Sequence, residues 1–319
     1  MKHYPLVIAA ISNWNGLSIH YKDTPILESC LKSLVKVDYP NIKYVLVDAE
    51  SRDGSVEYVK KNFPEIFVKR IKDMGTPFSQ NEEIKLALDR YPEAEYVLLV
   101  TNDINFNERG WLKKMVAAAE KDKSIAMVNC KLKYPNGEVQ HGGTELSVIG
   151  IRMIKDGKIG NTSRYQKVAC SSLIMVRSRA LIESGGFDES FGPFSWEDID
   201  LSARMHRRGY KLYYVGNTDI SHLETVSTLN KEIKKNWTRD YIEWCMRRNA
   251  YAFYLRYAKS MFPAYIITDT ISNIVSFGND RLKVRNNIGY RIRTQLPAIA
   301  EAVKMSRKGR IRKFGDTGR

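Results

Sequence analysis

Short unbroken apolar runs alternate along the first part of the chain with stretches whose apolar positions recur every three or four residues. The runs at 6–11, 44–47 and 96–100 predict strands buried on both faces, and 66–71 predicts another. After Thr24-Pro25, where proline suits a first helical turn, Ile26, Leu27, Cys30, Leu31, Leu34 and Val35 fall on one helical face. Helices are predicted at 56–62, from a capping box at Ser79-Gln80-Asn81-Glu82, and at 111–120. This alternation predicts an α/β fold with a mainly parallel sheet flanked by helices.

Further on, glycine-rich short strands between 129 and 160 predict hairpins. A buried strand follows at 168–176, with the small residues Cys170-Ser171-Ser172 inside it. A helix at 178–184 is closed by Gly185-Gly186. In Gly192-Pro193-Phe194-Ser195-Trp196-Glu197-Asp198-Ile199-Asp200, Ser195 is a candidate N-cap for a helix that Gly209 would stop. Glu197 and Asp198 would then share its first turn, where the helix dipole favours ionised carboxylates. Successive helical residues point about 100° apart, so one acid would face a cleft while the other braces the loop. Strands at 210–215 and around Ile220-Ser221-His222 come next, then an aromatic, basic helix at 241–257.

Three of the buried runs stop at polar residues: Asn13 and Asn15, Asp48, and Asp103. Ligands of open parallel sheets bind beyond the carboxyl ends of the strands, so these residues converge on one pocket. Polar βα loops are common, which accounts for the asparagines. An acid abutting an apolar strand is costly unless something pairs with it.

The 319 residues suffice for one large α/β domain with an appendage. A net charge of +15 is concentrated at the end: 281–319 holds twelve Lys and Arg against two acids. Such a tail suits an anionic partner. The four cysteines are scattered without a CxxC pair, which speaks against zinc and for a reducing, cytoplasmic setting. The apolar run at 1–10 is too short for a signal peptide, and 261–277 contains Asp269 and further polar residues, so no membrane span is predicted. Dinucleotide-binding, P-loop, nucleophile-elbow and H-E-x-x-H patterns are absent.

Asn13-Trp14-Asn15-Gly16, Val47-Asp48 with Ser51-Arg52-Asp53-Gly54-Ser55, Thr101-Asn102-Asp103, and Glu197-Asp198 followed by His222 stand in an order and spacing that resembles the family 2 glycosyltransferases over roughly 5–225. The resemblance implies a GT-A fold, Rossmann-like, with a nucleotide-sugar half (1–105), an acceptor half (106–225) and a helical, basic C-terminal region (226–319). It implies an inverting enzyme that moves a sugar from a UDP- or dTDP-type nucleotide-diphosphate sugar to a glycan or lipid-linked acceptor. By the same resemblance Asn13, Asn15, Asp48, Asp53, Asn81 and Asn102 would bind the donor, Asp48 through the imide of a pyrimidine base. Asp103 and His222 would hold Mn2+ or Mg2+ on the diphosphate. Asp198 would be the general base, Glu197 would hold the loop or an acceptor hydroxyl, and Trp196 would lie under the acceptor sugar or anchor the loop. Two departures stand out: the metal motif reads Thr-Asn-Asp, and Arg52 replaces a small polar residue.

The aromatic segment 241–278 and the basic tail together fit an interfacial helix holding the protein to the inner face of a membrane, with packing against the catalytic domain and homo-oligomerisation as alternatives. A nucleotidyltransferase would want a glycine-rich basic loop after the first strand, which Asn13-Trp14-Asn15-Gly16 does not supply. A nucleic-acid binder would want a recognition motif beside its basic tail, and none is present; no nucleic-acid partner is expected.

Overall fold

The computed structural model describes residues 3–169, 172–223, 239–275 and 288–308. Eight strands form the central sheet. In spatial order they are β13 (Arg164–Gln166), β15 (Lys211–Val215), β8 (Ile125–Cys130), β14 (Leu173–Arg177), β6 (Tyr96–Thr101), β1 (Val7–Asn13), β4 (Ile42–Ala49) and β5 (Ile66–Ile71). The half from β6 to β5 is parallel, β14 runs against both of its neighbours, and β15 is again parallel to β8. A smaller sheet orders β10 (Val139–His141), β9 (Leu132–Lys133), β16 (Ile220–His222) and β7 (Ile104–Phe106). Two ribbons complete the strands among the described residues: β2 (His20–Tyr21) with β3 (Thr24–Pro25), and β11 (Thr144–Ser147) with β12 (Gly150–Met153).

The continuous apolar run of β1 has its reason in this position. Val7, Ala9 and Ile11 enter the cluster under α1 (Ile26–Leu34) and α4 (Trp111–Glu120). Leu6, Ile8 and Ala10 enter the opposite cluster, shared with α3 (Thr76–Arg90) and α6 (Ser178–Ser184). Both faces are dry, so alternation disappears. The remaining helices are α2 (Ser55–Asn62), α5 (Gly157–Gly160), α7 (Glu197–Arg207), α8 (Arg239–Tyr257), α9 (Phe262–Val275) and α10 (Ile288–Arg307).

Four sequence expectations change. The helix foreseen at Ser79 begins at Thr76, so the capping-box residues lie inside α3: Gly75 turns the chain at φ 93°, Pro77 occupies the first turn, and the Thr76 N–H donates to Pro193 O (2.7 Å). The strand expected over 168–176 is β14, starting at Leu173; Cys170 and Ser171 lie outside the described residues. Ser195 is not the cap of α7. Trp196 occupies the N-cap position at φ 72°, with Ser195 at φ 77°, and no side chain caps the helix. Finally, part of the aromatic segment packs inward: Tyr251, Phe253 and Tyr254 of α8 are fully buried in a cluster with Trp196, Phe191 and Ile199, while Tyr241 and Ile267 remain exposed. Among the described residues no helix is long and apolar enough to cross a membrane. Residues 281–287 and 309–319 of the basic tail lie outside the described residues.

Candidate active site

The register of β1 and β4 sets Asn13 directly beside Asp48, and that of β1 and β6 sets Ser12 beside Thr101. The strand ends therefore meet. Asn13 Nδ2 donates to Asp48 Oδ2 (2.8 Å) and Ser51 Oγ (3.2 Å), while its Oδ1 accepts from Asn102 Nδ2 (2.8 Å). A Cβ on Gly16 would stand 2.5 Å from Asn13 Oδ1 and 2.6 Å from Asn102 Nδ2, so the bond between the two asparagines needs glycine there. Asn15, at φ 47°, accepts from the Arg52 N–H (2.8 Å) and donates its own N–H to Ser51 Oγ (2.8 Å).

Asp48 is fully buried, and its pairing answers the cost of an acid at an apolar strand end. Besides Asn13, it accepts from the Ser51 N–H (3.0 Å), and Arg70 Nε stands 3.9 Å away. It lies behind the pocket wall. Asp53 braces two loops, accepting from the N–H groups of Leu17 (2.8 Å), Ser18 (2.9 Å) and Ser55 (3.1 Å). Asn81 lies apart from the strand ends: its amide is spent on Phe187 N–H (2.8 Å), Phe187 O (3.0 Å) and Glu189 Oε1 (3.0 Å).

A cavity of about 300 Å³ opens over these strand ends. Asn13, Trp14, Thr101 and Asn102 line it, together with Asp73, Thr76, Gln80, Pro193 and Phe194. Sequence reading missed Asp73 and its neighbours, although the strand-end rule that found Asp48 and Asp103 applies equally beyond β5. Gly75 adjoins Pro193 so closely that a Cβ would come within 2.7 Å of it, and its φ of 93° also favours glycine.

Asp103 and His222, far apart in the chain, meet through the small sheet. β16 pairs antiparallel with β7, setting His222 opposite Ile104, and the Leu223 N–H donates to Asp103 O (2.9 Å). His222 Nε2 then lies 3.2 Å from Asp103 Oδ2, and Gln140 Oε1 lies 2.7 Å from His222 Nδ1. Burial pushes the Asp103 pKa up, but His222 and the Thr101 hydroxyl (2.6 Å) outweigh it and hold the carboxyl below its ordinary value. An ionised carboxylate facing an imidazole whose other nitrogen is fixed by an amide suits a divalent cation. Among the described residues no group of three or more His, Cys, Asp or Glu could hold a metal. Asp103 and His222 are groups of the kinds that can ligate a divalent cation, and as a pair they are too few for a closed protein cage.

Glu197 and Asp198 open α7 as expected. Glu197 is buried, and burial followed by the neighbouring Asp198 charge pushes its pKa up to about 8. One of its carboxyl oxygens, Oε2, has no hydrogen-bond partner. Asp198 is half-buried and accepts from the Ile199 N–H (2.8 Å). Two acids side by side in one buried turn do not ionise independently, and burial disfavours a second negative charge there. Trp196 turns its ring into the C-terminal cluster, 5.3 Å from Phe253 and 6.2 Å from Tyr254, which makes it the anchor of the loop.

Residues 19–186 match the family model for glycosyl transferase family 2. The O-antigen biosynthesis protein RfbC of Myxococcus xanthus is 26% identical over 228 residues, covering 66% of this chain and 17% of that protein. The N-acetylglucosaminyl-diphospho-decaprenol L-rhamnosyltransferase of Mycobacterium tuberculosis is 20% identical over 239 residues, covering 66% of this chain and 76% of that protein. The chain spans less than a third of the first curated relatives it matches. Among solved structures, TarS of S. aureus superposes with a TM-score of 0.58 at 16% identity, covering 94% of this chain and 80% of that one. GalNAc-T7 with UDP, GalNAc and Mn2+ gives 0.54 at 14% identity, covering 84% and 55%.

Proposed function

The chain belongs to glycosyl transferase family 2, and from that premise we propose that it transfers a sugar from a nucleotide-diphosphate donor to a hydroxyl of a glycan or lipid-linked acceptor, with inversion. The observation that carries this reading is the juxtaposition of a strand-end cavity with the Glu197-Asp198 turn, through Pro193 and Phe194 in the cavity wall. The donor nucleotide sits against Asn13, Trp14 and Asn102, while Asp48 and Asp53 hold those loops rigid from behind. Asp48 acts on the base through this support, since its carboxylate is covered. Asp103 and His222 hold a divalent cation, Mn2+ or Mg2+, which supplies charge neutralisation at the diphosphate when bound. The names of relatives and neighbours support this choice: one acts on a diphospho-lipid, and another was solved with UDP and Mn2+.

Asp198 takes the proton of the acceptor hydroxyl as it attacks the anomeric carbon. Glu197, its pKa raised by burial, keeps a second negative charge away from that base and can donate a hydrogen bond to an acceptor hydroxyl without giving up its proton. A single attacking hydroxyl with a single base gives inversion. A panel of nucleotide sugars with Mn2+, scored for hydrolysis and thermal shift, tests the reading: turnover of a UDP- or dTDP-sugar is expected. If no nucleotide sugar is hydrolysed or raises the melting temperature, the reading fails.

A further inference from the structure

The turn that carries Glu197 and Asp198 is held from outside the region that carries the family motifs. Ser195 and Trp196, neither of them glycine, both have left-handed φ values, which persist only when the surroundings over-determine them. What surrounds them is one stripe of α8. Asn249, fully buried, points its amide nitrogen at three carbonyls of the loop: Phe191 O (2.7 Å), Ser195 O (2.8 Å) and Phe194 O (3.0 Å). Two N–H groups serve three acceptors, so one is shared. The orientation of the amide follows from chemistry, because Arg248 donates to Asn249 Oδ1 through Nε (3.0 Å) and Nη2 (2.8 Å). The same guanidinium reaches Gly192 O.

One turn on, Phe253 packs on the Trp196 ring. Two turns on, Arg256 bridges Asp188 Oδ2 (2.7 Å) and Asp200 Oδ1 (3.0 Å), and Tyr257 donates to Asp200 Oδ1 (2.7 Å). The spacing 249, 253, 256, 257 is a single helical face. It grips the segment from Asp188 to Asp200 along its length, with the two acids of the first turn between the grips.

We propose that this face of α8 is the positioning element for transfer, with Asn249 as its key positioning residue: it fixes the left-handed Ser195-Trp196 turn and thereby the direction in which Asp198 and Glu197 leave α7. The inference rests on the transferase reading above. It makes the C-terminal helix part of the catalytic apparatus through its packing, and Asn249 touches no substrate. Since misplacement by about 1 Å far from the chemistry can cost 10²-fold in rate, loosening the grip should fall on turnover and leave the donor cavity intact.

The test uses the full chain and the nucleotide sugar that the wild type turns over best. Asn249→Ala and Phe253→Leu are measured for kcat, donor KM and hydrogen–deuterium exchange of 191–200. Expected are a fall in kcat of about 10²-fold for the first and a smaller fall for the second, donor KM within twofold, and faster exchange confined to 191–200. Phe253→Leu keeps an apolar side chain at that position and leaves the Asn249 hydrogen bonds untouched, so it carries the test should Asn249→Ala not fold. The proposal is overturned if the folded variants keep wild-type kcat, or if donor KM rises as much as kcat falls. A wild type that turns over no nucleotide sugar would instead defeat the transferase reading itself.

Discussion

Replacing Glu197 by Gln tests the charge state of the α7 turn. The ordinary carboxyl pKa of 4.5 is raised to about 8 in the fold, first by burial and then by the Asp198 charge. In the unfolded chain the group ionises near 4.5, so between 4.5 and 8 the folded state binds the extra proton. Stability tied to this residue is therefore fully present below pH 4.5 and is lost as pH rises toward 8. At 1.36 kcal/mol per unit, the loss by pH 7 is about 3 kcal/mol, an upper figure for a group that retains slight exposure. Glutamine has no proton to lose. The melting temperature of Glu197→Gln should thus gain on that of the wild type between pH 5 and pH 8, by roughly 6 °C at ~2 °C per kcal/mol. Activity should follow the same logic: the wild type declines above about pH 8 as a second negative charge appears beside Asp198, and the variant holds its rate further into the alkaline range. Calorimetry at four pH values and a pH–rate profile of both proteins supply the data. A gap in melting temperature that stays constant across the range, or identical alkaline limbs, would refute the assignment of Glu197 as the protonated partner.

Three further outcomes are expected. Asp198→Asn should lower transfer by about 10²–10⁴-fold while donor affinity, measured by calorimetry, stays within twofold; near-normal turnover would remove Asp198 from the role of base. Chelation should stop transfer, Asp103→Ala should abolish the response to added Mn2+, and Gln140→Ala should raise the Mn2+ concentration for half-activation by about 10–100-fold, because Gln140 fixes the His222 ring; full activity after EDTA treatment would rule the cation out. Glu83 on α3 is fully buried, and burial pushes its pKa well above the ordinary value while the Ser12 hydroxyl offsets only part of that. Glu83→Gln should accordingly be no less stable than the wild type at pH 7 and gain on it as pH rises from 4.5; a variant that loses ground over that range, followed by thermal melts, would contradict a neutral Glu83.

The sequence by itself determined the scaffold. Runs such as those in β1, β4 and β6 are written in consecutive residues, and a strand buried on both faces leaves no alternative reading once helices of 3.6-residue period separate them. It also determined that Asn13, Asp48 and Asp103 stand at strand ends, since the end of an apolar run is a local signal. The acids of the α7 turn were legible for the same reason. What each polar side chain does was decided only by tertiary structure. Asp48 and Asn13 look alike as strand-end groups, yet one lies covered behind the wall and the other lines the cavity. Asn81 lies inside α3, whose N-cap is Gly75, four residues before the Ser79 of the capping pattern, and its amide is taken up by Phe187. Ser195 fails as a cap because the chain is left-handed there and Trp196 takes the N-cap position, with the Asn249 amide on the Ser195 carbonyl. Asp103 and His222 become a pair through the register of β7 and β16. Glu197 keeps its proton because of what buries it. Hydrophobic period is a property of neighbours along the chain, whereas a hydrogen bond or a pKa depends on which groups from distant segments fill the few ångströms around an atom, and only the folded packing settles that.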